Sequence, residues 1–174
     1  MKKLIAIITI MLSFSITAFG NITLQGVQLK DINNKPVSLD KYKGKKVYIK
    51  VWASWCPICL SGLNEINSLS TDKNKNFSVI TIVSPGLKGE KPTDKFIQWY
   101  KGLNYKDITV LLDEKGTVIK RARISGYPTN LILDSNLNII NTSHSAKSRM
   151  HFFFNLKNSL NGNARRKKSI QPLY

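Results

Sequence analysis

The two cysteines of this 174-residue chain, Cys56 and Cys59, lie in the stretch VWASWCPICL and are the side chains best suited to covalent chemistry. An apolar β-branched run precedes them and a helical pattern follows, which predicts that they lie where a strand ends and a helix begins. A helix N-terminus stabilises the thiolate, which is the reactive form of cysteine. Pro57 suits the first helical turn and leaves Cys59 one turn further on, close enough for a disulfide. The spacing therefore predicts a reversible dithiol pair.

The predicted reaction is thiol–disulfide exchange, in which Cys56 attacks an oxidised partner and Cys59 resolves the mixed disulfide. A static structural disulfide is one alternative, but so small a loop restricts the unfolded chain very little. A zinc site is another, but it needs two further ligands, and the two histidines, His144 and His151, lie seven residues apart without a partner motif. We therefore expect no metal and no cofactor beyond the redox-active Cys56–Cys59 disulfide.

A proline, Pro128, lies in ISGYPTNLIL immediately before an apolar strand. Proline cannot donate a ladder hydrogen bond in a central strand, so a cis peptide bond in a tight turn is one interpretation. An ordinary trans proline at the start of an edge strand is the other. The spacing by itself leaves both open.

The remaining pattern predicts alternating strands and helices. Residues 21–44 predict a hairpin of two short strands around the turn INNKP. Apolar spacing then predicts the order βαβαββα, with one continuous helix through CPICLSGLNEINSLS and a later helix capped by Thr93 and ending near Gly102. The segment EKG at 114–116 predicts a turn, TNLILD and LNIINT predict a hairpin, and MHFFFNLKNSL predicts a closing helix.

The chain is long enough for one domain. Its first twenty residues run from two lysines through an apolar stretch to small residues, the pattern of a secretory signal peptide; an uncleaved membrane anchor is the alternative. We therefore expect a signal peptide at 1–20 and a folded domain at 21–160 in an extracytoplasmic compartment. Residues 161–174 are basic and have no apolar period, which predicts a disordered tail.

The chain is strongly basic, with 27 Lys and Arg against 10 Asp and Glu and a formal net charge of +17. The lysines are spread along the sequence without interleaved aromatic motifs, so no nucleic-acid partner is expected. Attraction to an anionic membrane surface or cell-wall polymer is one interpretation, and a lysine-rich composition without functional meaning is the other. The segment KGEKPTDK is interpreted as a solvated loop, with a role in the charge preference for a partner as the alternative.

The motif WASWCPIC at a strand–helix junction, followed about seventy residues later by GYPT, resembles thioredoxin-fold proteins. The resemblance implies an α/β fold with a central mixed β-sheet flanked by helices, behind the N-terminal hairpin. It also implies that Cys56 attacks, that Cys59 resolves, and that Pro128 is a cis-proline beside them. The lead-in LKDINNKPVSLDKYKGKKVYIKVWASWC resembles the extracytoplasmic, TlpA-like redoxin group, which includes the thiol reductants of cytochrome c maturation.

A closer resemblance is to the thioredoxin-like domain fused ahead of methionine sulfoxide reductases in PilB-type proteins. It rests on WASWCPICLSGLNEI, VSPG and FIQWYKGLNY. It implies that the protein reduces the disulfide left on a methionine sulfoxide reductase, with electrons from a membrane thiol transporter. One departure is Lys50, which stands where ordinary thioredoxins carry a buried acid that assists proton transfer to the resolving cysteine. Glu65 is a candidate for that role.

Apolar side chains near the pair are candidates for receiving a partner chain. Trp55, Pro57, Ile58 and Tyr127 form this predicted rim, with core packing as the equal alternative for Trp55, whereas Trp52 fits the core better. Ile58 also stands where thioredoxin-fold oxidants usually carry a histidine, and an apolar side chain cannot donate to the thiolate. A reductant is therefore favoured over a disulfide-forming oxidase. A general disulfide reductase and a non-catalytic docking module are further alternatives.

Overall fold

The computed structural model describes residues 22–144 and contains seven strands, four α-helices and one 3-10 turn in that range. The strands are β1 (Gln28–Asp31), β2 (Pro36–Ser38), β3 (Lys46–Val51), β4 (Phe77–Val83), β5 (Val110–Leu112), β6 (Thr129–Leu133) and β7 (Ile139–Ser143). The helices are α1 (Pro57–Leu60), α2 (Leu63–Thr71), α3 (Thr93–Lys101) and α4 (Thr117–Arg121), and the 3-10 turn is Leu39–Tyr42.

The strands form one mixed sheet in the order β2-β1-β5-β4-β3-β6-β7. Strand β3 pairs in parallel with β4 and antiparallel with β6. Strand β4 also pairs in parallel with β5. The N-terminal hairpin of β1 and β2 extends the sheet beyond β5, where β1 runs antiparallel. This confirms the predicted mixed α/β sheet with a hairpin extension.

The register of β3 determines which segments meet at the sheet end that carries the cysteines. Val51, the last residue of β3, lies opposite Ile82 in β4 and Thr129 in β6. The Trp52 amide then donates to the Ile82 carbonyl at 3.1 Å. The chain leaving β3, the chain leaving β4 and the turn entering β6 are therefore neighbours at one end of the sheet.

The core has two layers because successive β3 side chains point to opposite faces. Tyr48 and Trp52 lie on the face covered by α2 and α3, and Trp52 is fully buried and packs against Phe96 and Tyr100. The opposite face is covered by α4 and the 3-10 turn. It contains a second apolar cluster that includes Val47, Ile49, Val51, Ile80, Ile82, Leu111, Val118 and Leu131. The prediction that Trp52 packs in the core is confirmed.

The prediction of one continuous helix after Cys56 is wrong, because the chain forms α1 and α2 with a break between them. The Ser61 amide still donates to the Pro57 carbonyl, but the Gly62 amide donates to the Cys59 carbonyl at 3.2 Å, a tighter i to i+3 turn that ends α1. Glycine is also a poor helix former, which favours an interruption at Gly62.

The turn predicted at 114–116 is present, but the helix α4, which the sequence analysis did not predict, follows it directly. The buried Asp113 carboxylate accepts hydrogen bonds from the amides of Thr117, Val118 and Ile119 at 2.8, 2.8 and 3.3 Å. These are amide donors at the start of α4 that would otherwise lack intrahelical partners. Gly116, with φ of +65°, provides the left-handed turn between the carboxylate and the helix.

The prediction that Thr93 caps α3 is also wrong, since Pro92 occupies the cap position and Thr93 is the first residue of the helix. The Thr93 hydroxyl donates to Glu114 at 2.6 Å instead of accepting from its own helix.

Four predictions lie outside the described residues: the signal peptide at 1–20, the closing helix MHFFFNLKNSL, His151 and the tail at 161–174. Within residues 22–144, no helix has the length and apolar character needed to cross a membrane.

A buried hydrogen bond between Tyr48 and Asn130 gives a test of the sheet packing. The Tyr48 hydroxyl donates to Asn130 Oδ1 at 2.8 Å, whereas the Tyr105 hydroxyl makes the same kind of bond to Asn64 at an exposed site. We expect Tyr48→Phe to lower the free energy of unfolding by about 1–3 kcal/mol, because a buried acceptor loses its donor. Tyr105→Phe should cost less than about 0.5 kcal/mol. Urea unfolding of both variants checks this, and equal losses would contradict it.

Candidate active site

Cys56 and Cys59 form a disulfide with an S–S distance of 2.04 Å. Cys56 is the residue that caps α1, and its Sγ accepts a hydrogen bond from the Cys59 amide at 3.2 Å. Cys56 is 3 % exposed and Cys59 is 0 % exposed, so Cys56 is the more accessible residue of the two. This ordering agrees with the predicted roles, in which Cys56 attacks and Cys59 resolves.

The peptide bond between Tyr127 and Pro128 is cis, as the resemblance implied. The β3–β6 register brings this turn beside the segment that carries the cysteines. The contact is direct at the rings of Trp55 and Tyr127, whose centroids are 5.8 Å apart in an edge-to-face arrangement. The two sequence motifs therefore meet in one site.

An apolar rim surrounds the buried disulfide. Trp55 and Ile58 are 51 % and 46 % exposed, two of the four large hydrophobic side chains that are exposed among residues 22–144. Pro57 is also exposed, and Tyr127 is half-buried. An exposed apolar surface next to a redox-active bond is suited to binding a partner chain. The rim residues predicted from the sequence thus lie together, and their contact with a partner stays a prediction.

A loop at residues 84–91, which we call the β4 loop, packs against this rim. The Trp55 Nε1 donates to the Lys88 carbonyl at 3.1 Å. The Lys88 ammonium donates to the carbonyls of Ile124 and Ser125 at 3.0 and 3.3 Å. A Cβ on Gly89, whose φ is +78°, would lie 3.5 Å from Trp55 Nε1. The β4 loop therefore joins the cysteine segment to the segment that precedes Pro128.

Glu90 anchors the β4 loop beneath the cysteine segment. Its side chain is 6 % exposed, and its carboxylate accepts hydrogen bonds from both the amide and the hydroxyl of Ser54, the latter at 2.6 Å. The Lys91 amide donates to the same carboxylate at 2.7 Å, and the Lys91 ammonium donates to the Ser54 hydroxyl at 2.7 Å. Part of KGEKPTDK is therefore a buried anchor, and the interpretation of the segment as a solvated loop is wrong at Glu90.

The sequence analysis missed Glu90 because no local pattern marks it as buried. A glutamate between glycine and lysine is typical of an exposed loop. Its partner Ser54 is 36 residues away. One indirect indication was available. The Ser54 amide follows the end of β3, and if it is buried it must find an acceptor elsewhere in the chain, because buried amides are almost always hydrogen-bonded.

The Tyr127 hydroxyl stays protonated in this environment. Burial raises the pKa of Tyr127 above its usual value of 10.0, and the negative charges of Glu90 and Asp113 raise it further. The ring can therefore serve as an apolar wall of the site, with a neutral hydroxyl, across the physiological pH range.

Lys50 and Glu65 lie on the α2 side of the sheet. Lys50 is 7 % exposed and shares a β3 face with Tyr48 and Trp52. Glu65 is half-buried on α2. Burial raises the pKa of Tyr48 above its usual value, and the Glu65 charge raises it further, so Glu65 acts close to this buried face. A proton-transfer role for Glu65 stays a prediction.

His144, considered above for a zinc site, packs against the turn that enters β6. Its Nδ1 lies 3.0 Å from the Thr129 hydroxyl, which donates to the Gly126 carbonyl at 2.7 Å. The Thr129 hydroxyl therefore acts as the acceptor toward His144. In the part of the chain from 22 to 144, no three His, Cys, Asp or Glu side chains are grouped as metal ligands.

A disulfide that closes over two intervening residues, a helix start at the first cysteine and a neighbouring cis-proline define a thioredoxin-fold thiol–disulfide oxidoreductase. The model of the Redoxin family matches residues 17–150, and the chain belongs to that family.

Two relatives from Haemophilus influenzae illustrate the range of similarity. An uncharacterized protein is 63 % identical over 142 residues, which make up 82 % of this chain and 90 % of that protein. The thiol:disulfide interchange protein DsbE is 32 % identical over 92 residues, which make up 53 % of this chain and 46 % of DsbE. The chain thus spans about half of the length of DsbE.

Two solved structures are similar over most of the chain. The exposed lipoprotein thioredoxin Etrx1 of Streptococcus pneumoniae has a TM-score of 0.70 and 37 % identity, covering 75 % of this chain and 97 % of that one. The N-terminal domain of PilB from Neisseria gonorrhoeae has a TM-score of 0.64 and 31 % identity, covering 79 % of this chain and 93 % of that one.

The Glu90 anchor gives a test of the site's architecture. We expect Glu90→Gln to lower the free energy of unfolding of the oxidised protein by about 1–3 kcal/mol, because the amide cannot accept from every buried donor around it. Glu114→Gln is the matched control: it removes the ion pair with Lys30 at 2.9 Å, where both side chains are more than 30 % exposed. That pair should contribute at most about 1 kcal/mol. Urea unfolding distinguishes the two, and a Glu90 loss no larger than the Glu114 loss would refute the anchor.

Proposed function

We propose that this protein is an extracytoplasmic reductant of partner-protein disulfides and that its partner is a methionine sulfoxide reductase. The observation that carries the proposal is the cysteine pair, buried at the centre of an exposed apolar rim. A partner chain that binds the rim presents its disulfide to Cys56, the more accessible of the two cysteines. Trp55, Ile58 and Tyr127 are the residues expected to contact it, with Pro128 in the turn beside them.

The reaction transfers two electrons to the partner. In the reduced protein the Cys56 thiolate attacks one sulfur of the partner disulfide, and the other partner sulfur leaves as a thiolate and takes a proton. The Cys59 thiolate then attacks Cys56 Sγ, which forms the Cys56–Cys59 bond and releases the second partner sulfur. The partner ends as a dithiol, and this protein ends as the disulfide. The Cys59 amide, which donates to Cys56 Sγ at 3.2 Å, stabilises the Cys56 thiolate between cycles.

The side chains next to Cys56 support a reductant. An oxidant requires strong stabilisation of the reduced form, which lowers the thiolate pKa far below that of thioredoxin. Ile58 lies between the cysteines, is exposed and offers no hydrogen bond to the sulfur. The stabilisation therefore depends on backbone amides at the start of α1.

The choice of partner rests on similarity. The motifs WASWCPICLSGLNEI, VSPG and FIQWYKGLNY resemble the domain fused ahead of methionine sulfoxide reductases, and the PilB N-terminal domain has a TM-score of 0.64 with this chain. The signal-like residues 1–20 and the similarity to an exposed lipoprotein favour an extracytoplasmic site. We propose a membrane thiol transporter as the electron donor, and an anionic membrane or cell-wall surface as a region that the +17 charge would favour.

The reduction potential of the Cys56–Cys59 pair separates a reductant from an oxidant. We expect a value near about −270 mV, as in thioredoxin, because Ile58 does not stabilise the thiolate. Equilibration in thiol buffers, read from tryptophan fluorescence, measures it. A value near about −120 mV, as in a strong oxidant, would exclude the reductant.

A trapping experiment tests the partner. In Cys59→Ala the mixed disulfide cannot be resolved, so Cys56 should remain bound to a methionine sulfoxide reductase oxidised by methionine sulfoxide. Cys56→Ser is the matched control and should trap nothing. The wild-type protein should also support repeated turnover of the reductase in a coupled assay. Another outcome is that the protein reduces insulin disulfides and yet gives neither a trapped complex nor repeated turnover of the methionine sulfoxide reductase. That outcome would refute this partner, whereas the disulfide-reducing activity of the protein would stand.

The similarity to DsbE favours a second candidate, a reductant of the apocytochrome disulfide. The substrate would then be an oxidised Cys-x-x-Cys-His peptide, the c-type haem attachment motif. Faster reduction of that peptide than of the oxidised sulfoxide reductase, at equal concentration, would favour this candidate. A docking module without redox function would instead retain partner binding in the Cys56→Ser variant.

A further inference from the structure

A buried lysine lies beside the turn that follows the resolving cysteine. Lys50 is 7 % exposed. Its Nζ is 3.0 Å from the position that a Cβ on Gly62 would occupy. The carbonyl oxygens of Cys59 and Ile58 are 3.5 and 3.9 Å from the same position. The ammonium group and the C-terminal carbonyls of α1 therefore border one small space.

The surroundings of Lys50 come from four elements. Its neighbours in the sheet are Thr81 of β4 and Asn130 of β6, neither of which titrates. Tyr48 lies on the same face of β3 and stays neutral, because burial and the Glu65 charge raise its pKa. Glu65 on α2 is the acidic group identified near this face. A charged lysine buried here costs free energy unless a negative charge or dipole compensates it.

We propose that Lys50 is a positioning residue for the resolving step, in which its buried ammonium group stabilises the thiolate of Cys59. Glycine at position 62 makes room for this, since a side chain there would crowd Nζ. Cys59 is completely buried, so water cannot solvate its negative charge. In this proposal the Lys50 ammonium, which borders the space beside the Cys59 carbonyl, supplies that stabilisation.

The step involves no change at the lysine. The Cys59 thiolate attacks Cys56 Sγ in the mixed disulfide, and the proton released from Cys59 balances the one taken up by the departing partner sulfur. The new Cys56–Cys59 bond forms as the bond between Cys56 and the partner sulfur breaks, and the partner sulfur leaves with the electron pair. The inference needs only the dithiol chemistry of the family, so it holds whichever partner is reduced.

The test measures resolution directly. The reduced protein reacts with 5,5′-dithiobis(2-nitrobenzoate) to give a mixed disulfide on Cys56, and attack by Cys59 releases a coloured thiolate. Stopped-flow rates across pH give the midpoint for ionisation of Cys59. We expect Lys50→Met and Lys50→Gln to raise this midpoint by about one pH unit or more, the effect of losing an opposite charge within about 4–6 Å. At pH values below both midpoints, resolution should slow about tenfold.

The controls separate charge from structure. Lys50→Arg keeps the charge and should keep the midpoint close to that of the wild type. Lys46→Met removes a lysine of the same strand that lies away from the site, and it should leave the midpoint unchanged. Thiolate absorbance in the Cys56→Ser background, with and without Lys50→Met, measures the Cys59 pKa independently of exchange.

Three results would overturn the proposal. An unchanged midpoint in folded Lys50→Met or Lys50→Gln protein excludes the electrostatic role. If neither neutral variant folds, a midpoint that rises by a unit or more in Lys50→Arg also excludes the electrostatic role, because this variant keeps the positive charge. A midpoint that moves in Glu65→Gln but not in Lys50→Gln would assign the role to the carboxylate. None of these results depends on the methionine sulfoxide reductase assay, so a wrong partner and a wrong role for Lys50 remain distinguishable.

Discussion

The pairing of β3 on both sides is the constraint on which the site depends. Parallel pairing with β4 and antiparallel pairing with β6 bring three chain segments to the same end of the sheet. One carries the cysteines, one forms the β4 loop and one contains the cis-proline. Because β3 is buried on both faces, a shift of its register by one residue would exchange its two sets of core side chains. The relative positions of Cys56 and Pro128 therefore follow from core packing.

Polar contacts connect the chain segments that the sheet brings to one end. Glu90 crosses from the β4 loop to the Ser54 amide and hydroxyl, and Lys88 reaches the carbonyls before the cis-proline turn. Each contact joins segments more than thirty residues apart. A carboxylate held by several buried donors is costly to disrupt, because every donor would lose its acceptor. This network holds the exposed Trp55 in place while the disulfide stays buried.

The two sides of the disulfide have different environments. The outer side is apolar and accessible at Trp55 and Ile58, which suits the binding of a partner chain. The inner side is closed by the sheet, with Lys50 and Glu65 among the charged side chains near it. Attack on a partner disulfide therefore uses the outer side, whereas resolution takes place in a buried environment. The difference follows from where α1 lies, just after the end of β3.

The sequence by itself determined the chemistry and most of the strands, because both depend on local spacing. Two cysteines around Pro57 predict a dithiol pair, and alternating apolar residues predict β3 and the N-terminal hairpin. It could not determine the break at Gly62, the helix α4 or the burial of Glu90. The burial of Glu90 depends on Ser54, 36 residues away, and a burial decided by a residue distant in sequence has no local pattern. The break at Gly62 and the start of α4 depend on hydrogen bonds that the Cys59 carbonyl and the Asp113 carboxylate accept in the folded chain. Only the tertiary structure placed the Lys50 ammonium beside Gly62 and the Cys59 carbonyl, because that proximity requires the turn between α1 and α2 to lie over β3.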